Sequence, residues 1–192
     1  MSKRVRRVST SLRPQKSGPL LNEEIKVILR GADDLIMEGG RSLLAKILKG
    51  SKDKTLLEKG LNSNPGYGYY KGLSIYDITS KIDWLIINRY LEIEYSYRLP
   101  MLVYGPKGWE IEKDTYTDEL LAGFDKLIES GIDSFNMIYL KDRARDMIIL
   151  LLDKIQAKGD SKYIPILEAW KKIDYRKVKA RINSVIRAIR KN

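Results

Sequence analysis

Residues 40–108 read GRSLLAKILKGSKDKTLLEKGLNSNPGYGYYKGLSIYDITSKIDWLIINRYLEIEYSYRLPMLVYGPKG, and their punctuation decides the fold. Leu43, Leu44, Ile47 and Leu48 recur at helical spacing, and Gly50 stands where a left-handed residue ends a helix. Ser51 and Asp53 are suited to cap a next helix running to Leu61. Residues 62–72 hold Asn, Pro and Gly, the chemistry of a loop. Ser74 with Asp77 forms a variant capping box for a helix over 75–88, with Ile75, Ile78, Ile82, Leu85 and Ile86 on one face. After Arg89 the period changes. Residues 90–95 alternate, with Leu91 and Ile93 inward, residues 96–98 turn, and residues 99–104 return. Gly105, Pro106 and Gly108 close the ribbon.

Helix, loop, helix and a two-stranded ribbon is the order of a winged helix, a nucleic-acid-reading module. Upstream, Asn22 is placed to cap a helix with Ile25, Ile28, Leu29, Leu35 and Ile36 on its stripe, which Gly31 can interrupt and Gly39-Gly40 stops. Downstream the pattern is helical: 118–131, then 141–158 with Met147, Ile148, Leu151, Leu152 and Ile155 on one side. A helix over 161–173 follows, with Pro165 in its first turn, and Asp174 is read as the cap of a last helix carrying Val178, Ile182, Val185 and Ile189. The expected fold is mostly α with a small β-wing (α+β), a winged helix-turn-helix followed by a helical region. The expected divisions are a basic flexible arm over 1–20, a winged-helix domain over 21–116 and a helical domain over 117–192.

The chain has 192 residues, 43% hydrophobic and 32% charged, enough to bury a core in one or two small domains. It lacks Cys and His, which excludes disulfides, thiolate or imidazole metal sites, a Cys nucleophile and a His base. The net charge of +11 points to a polyanionic partner. The charge gathers at the ends. Lys3, Arg4, Arg6, Arg7, Arg13 and Lys16 lie in a first segment without acids. Arg176, Lys177 and Lys179 lead a basic last helix, and these three are read as phosphate ligands. No apolar run is long enough to cross a bilayer, so a soluble, cytoplasmic protein is expected, with association to the nucleoid as an option.

Four short motifs carry a resemblance. Leu48-Lys49-Gly50-Ser51, Gly68-Tyr69-Tyr70-Lys71, Arg89-Tyr90-Leu91 and Pro106-Lys107-Gly108 resemble, in order and spacing, the RecQ-helicase C-terminal (RQC) winged helix. Arg89 departs from the usual Gly, and Pro106 from a Thr neighbourhood. The resemblance implies that the Gly-Ser turn and the G-x-x-K loop approach a duplex backbone. Lys49, Ser51, Lys52 and Lys71 would then be phosphate ligands, with Ser74 at a second helix start. It also implies an aromatic wedge at the wing tip, which falls on Tyr97 with Arg98 beside it. There is no G-x-x-x-x-G-K-[ST] phosphate loop, so the chain resembles a stand-alone module without the helicase motor. The segment GDSKYIPILEAWKKIDYRKVKARINSVIRAI resembles one HEAT-type helical repeat.

No nucleophile, base and orienter set is legible, and neither cofactor nor metal is expected. Glu92 and Glu94 share a strand face but read as solvated, and Tyr67, Tyr69 and Tyr70 read as packing on a neighbouring helix. The expected function is non-catalytic binding of duplex ends, junctions or structured DNA or RNA. Two alternatives stand beside it. One is a protein-interaction adaptor using the helical C-terminal region. The other is a transcriptional regulator whose recognition helix, 75–88, exposes Tyr76, Asp77, Thr79, Ser80, Lys81 and Asp83.

Overall fold

A computed structural model describes residues 7–14, 18–132 and 134–191. Lys3, Arg4, Arg6 and Lys16 lie outside the described residues. The chain divides into two compact units, Met1–Glu112 and Lys113–Asn192. The division falls inside one helix.

The first unit opens with α1 (Asn22–Ala32), continued by a 3-10 turn over Asp33–Leu35. Gly31 does not interrupt the helix. The N-cap is Leu21 rather than Asn22, and Glu24 turns back to accept the Leu21 N–H at 3.2 Å. Helix α2 (Arg41–Lys49), the short α3 (Lys54–Glu58) and α4 (Ile75–Ile87) follow. Helix α3 stops before Leu61 because Gly60 takes a left-handed φ of 69°. Strands β1 (Leu91–Ser96) and β2 (Leu99–Tyr104) pair antiparallel, with Leu91 opposite Tyr104 and Ser96 opposite Leu99.

The wing is stitched to the helices by residues that the sequence pattern gives no strand character. Ile36 bridges Leu102 in parallel, the Met37 N–H donates to Leu102 O at 3.0 Å, and the Leu102 N–H donates to Gly39 O at 2.9 Å. Helix α2 packs on both α1 and α4. Ile28, Leu29, Leu44, Ile47, Leu48, Ile78, Ile82 and Leu85 are fully buried between them, together with Leu91 and Leu102 from the wing. Each such side chain contributes roughly 1.5–3 kcal/mol of burial. Ile75, expected on this face, is instead exposed at the first turn of α4.

Helix α5 (Pro106–Glu129) starts twelve residues before the expected position 118. Gly105, Pro106 and Gly108 do not form a closing turn. Pro106 is the first helical residue, where its missing N–H costs nothing, and the ladder opens with the Trp109 N–H on Gly105 O at 2.9 Å. A Cβ at Gly108 would lie 1.8 Å from Tyr90 O, so only glycine lets this turn meet the start of the wing.

Beyond residue 112, α6 (Arg145–Lys158), α7 (Ile164–Ile173) and α8 (Arg176–Ile189) form the second unit, with α8 packed on both α6 and α7. A 3-10 turn over Ile138–Leu140 occupies the lead-in, so α6 begins at Arg145 and not at Lys141. Met147, Ile148, Leu151, Leu152 and Ile155 are buried as their spacing requires. Trp170 and Phe124 meet edge to face at 6.1 Å in this core. The N-cap of α8 is Tyr175 rather than Asp174. The architecture is mostly helical with a small wing: a winged helix followed by a helical region.

Candidate nucleic-acid interface

The ten candidate ligands divide between the units. Lys49, Ser51, Lys52, Lys71, Ser74, Tyr97 and Arg98 lie in the first; Arg176, Lys177 and Lys179 lie in the second.

The C-terminal end of α2 builds the centre of the site. Gly50 is left-handed at φ 72°, its N–H donates to Ile47 O at 2.8 Å, and the Ser51 N–H donates to Lys46 O at 2.9 Å. Carbonyls at this helix end also hold the loop 66–73. The Gly68 N–H donates to Ile47 O at 3.0 Å and the Tyr70 N–H to Leu48 O at 2.8 Å. The two backbones are so close that a Cβ on Gly50 would stand 2.9 Å from the Gly68 Cα. The Tyr67 hydroxyl adds a bond to Ser51 O at 3.1 Å. The Gly-Ser turn and the G-x-x-K loop are thus one body.

Lys49 fastens that body. Its Nζ donates to Lys71 O at 2.6 Å and Leu73 O at 2.7 Å, so its charge is turned onto the loop backbone rather than outward. Ser51 Oγ accepts the Asp53 N–H at 3.2 Å, and Asp53 in turn caps α3 through Thr55 and Leu56. A hydrogen bond from Lys46 at 2.8 Å holds the Asp53 carboxyl below its ordinary pKa. Ser74 Oγ accepts the Asp77 N–H at 3.1 Å and donates to Asp77 Oδ2 at 2.7 Å, capping α4. Lys52 and Lys71 are exposed on the two locked loops.

The three tyrosines part company. Tyr70 is buried, donates to Glu24 at 2.7 Å, and is pushed above its ordinary pKa by burial and by that carboxylate. Tyr67 is half-buried. Tyr69, read from sequence as packed inward, is 45% exposed, its ring edge-on to Tyr70 at 4.8 Å. It adds an aromatic face two residues from Lys71.

At the wing, the Ser96–Leu99 pair leaves Tyr97-Arg98 as a two-residue tip. Tyr97 takes φ 56° and is 77% exposed. Residues 7 and 8, expected within a flexible arm, are docked here. The Val8 N–H donates to Arg98 O at 3.0 Å, the Tyr95 hydroxyl donates to Val8 O at 2.9 Å, and the Arg7 guanidinium lies over the Tyr95 ring at 4.9 Å.

Farther along the same segment, the Arg13 N–H donates to Asp83 Oδ2 at 2.7 Å, and Arg41 joins Asp83 to Ser11 O. These contacts cross α4 and border a cavity of about 450 Å³. Of the α4 positions expected to be exposed, Ser80 and Asp83 are buried, and Lys81 is paired with Glu24 at 2.8 Å. Burial beside these partners, not solvent, explains the acid on that face.

In the second unit, Arg176 and Lys177 are exposed in the first turn of α8, and Lys179 Nζ reaches Lys172 O at 3.4 Å. Asp174, buried, accepts the Trp170 indole N–H and the Tyr175 N–H, each at 2.6 Å. Among the described residues no helix is long and apolar enough to cross a membrane. A family model, the RQC domain, matches residues 21–119. No curated protein and no solved structure matches the chain.

Proposed function

This chain belongs to the RQC domain family, and from that membership we propose that it is a non-catalytic protein that binds duplex ends, junctions or structured DNA or RNA through phosphate contacts. The observation that carries the reading is the locked pair of loops presenting Lys52 and Lys71 outward. Cations on a preorganised backbone contact phosphates without ordering a loop first. Tyr97 and Arg98 at the wing tip are assigned to the end of a duplex, and Arg176, Lys177 and Lys179 to further phosphates. Lys49, Ser51 and Ser74 build the surface, with their outer atoms at its margin. A cytoplasmic setting, at the nucleoid where DNA is the ligand, suits this role.

The test is a salt series with blunt duplex, forked duplex, single strand and hairpin RNA. Several phosphate contacts predict a log–log slope of about −0.9 per contact on B-form DNA. Lys52→Ala and Lys71→Ala should each reduce the slope by about one contact's worth. Salt-insensitive binding, or none at low salt, rejects the reading. An adaptor role then takes its place, supported by Ile132, Ile138 and Tyr139, which the second unit leaves exposed within one short stretch.

A further inference from the structure

The second unit holds a pocket of about 310 Å³ whose lining includes Lys141, Asp142, Arg143, Arg145, Asp174 and Tyr175. Its centre is a tethered aromatic ring. The Tyr175 backbone is tied to Asp174 at 2.6 Å, and its hydroxyl donates to Asp142 at 3.3 Å. The ring is still 56% exposed. A tyrosine whose hydroxyl is anchored has less rotamer freedom left to lose when something stacks on its ring. Lys141 Nζ lies over the ring at 5.4 Å. Arg143 is engaged elsewhere, over the Tyr116 ring at 5.0 Å and on Tyr139 O at 3.3 Å. Arg145 is an exposed residue of the lining, and Arg176 and Lys177, exposed, follow Tyr175 in sequence.

Both carboxylates of the lining are already engaged, Asp142 by the Tyr175 hydroxyl and Asp174 by the Trp170 indole and the Tyr175 amide, while Lys141 and Arg145 bring positive charge to the mouth. A fixed ring beside cations is the arrangement by which proteins hold single strands, with a base on the ring and phosphates on the cations. A pocket of this volume suits one unpaired nucleotide and is too small for a duplex. We propose that this pocket is a single-strand site in which Tyr175 stacks one base while Lys141 and Arg145 hold the flanking phosphates. The proposal rests on the reading that the chain binds nucleic acid and adds to it a second, separately addressable site.

Fluorescence anisotropy with the full chain tests it, using short labelled oligothymidine, oligouridine and a blunt duplex. Tyr175→Ala should weaken binding of the better single strand by about tenfold and leave the blunt duplex unchanged. Tyr175→Phe, which keeps the ring, should retain most of the affinity. Arg145→Glu, an exposed position, should repeat the loss, and circular dichroism should show all three variants folded. Lys71→Ala should do the reverse, weakening duplex and sparing single strand. Unchanged oligonucleotide binding by Tyr175→Ala and Arg145→Glu overturns the site. Duplex binding without any single-strand binding overturns the site alone. Single-strand binding that depends on Tyr175, without duplex binding, supports the site and rejects the duplex reading. Binding of neither overturns both.

Discussion

Lys49 and Lys71 sit in one loop pair, yet Lys49 gives its ammonium to two carbonyls whereas Lys71 points outward. The first holds shape and the second offers charge. Lys49→Ala should therefore lower stability by about 1–2 kcal/mol, since charge-assisted hydrogen bonds to backbone are lost. Lys71→Ala should change stability by less than about 0.5 kcal/mol while weakening binding to every duplex sequence alike. Chemical denaturation beside a binding series separates the two; equal stability losses would contradict the division of labour. Tyr97 invites a second residue-scale test. It adopts φ 56° at the wing tip, a conformation costly for a bulky L-residue. Tyr97→Gly should gain about 1 kcal/mol of stability and lose discrimination in favour of forked or ended substrates over closed circular duplex. Tyr97→Phe should be near neutral in binding, because stacking needs the ring. Equal losses on ended and closed substrates would remove Tyr97 from end recognition.

Elements were legible where periodicity was long and hidden where one residue's partner lay far away in sequence. The stripe Met147, Ile148, Leu151, Leu152 and Ile155 identified α6, and Gly50 identified the end of α2. The start of α5 was hidden because Gly105, Pro106 and Gly108 look like breakers. Pro106 in fact initiates the helix, and Gly108 clears Tyr90 O. The Ile36–Leu102 bridge was hidden because a single paired residue leaves no alternation to read. In the candidate site, the motif order located the two loops. The direction of Lys49, the exposure of Tyr69 and the burial of Asp83 depended on contacts across the fold. Asp125 on α5 shows how such contacts set stability between elements. It accepts from Tyr163 at 2.6 Å, Lys162 at 3.0 Å and Lys158 at 3.3 Å, which hold its carboxyl down to about 2. A depressed carboxyl stabilises the fold above its unfolded pKa, about 3.9, and that contribution fades as pH falls toward the folded value. Asp125→Asn should thus be the less stable protein at neutral pH, with the gap closing between about pH 4 and pH 2. A gap that persists at the acid end would refute the assignment.

Across the whole molecule, the excess of 36 basic over 25 acidic residues is not spread evenly over function. Many cations are paired, among them Lys154 with Asp114 and Asp118, and Arg181 with Asp153. Helix α4, the element that would read bases, has Ser80 and Asp83 buried and residues 11–13 laid across it. Binding should therefore be nearly indifferent to sequence. Competition between duplexes of different sequence and equal length should give affinities within about threefold, well under the 1–3 kcal/mol that one mismatched position costs a sequence reader. A strong preference would restore the regulator reading. The closeness of Gly50 and Gly68 has its own consequence. The amides of Gly68 and Tyr70 are bonded to carbonyls of a helix end, so a segment with loop geometry is protected like a helix. In hydrogen–deuterium exchange, residues 68–70 should open together with α2 and not on the fast timescale of surface turns. The surface offered to a phosphate then exists before any ligand arrives, and its loss on unfolding is all-or-none with the helix beneath it.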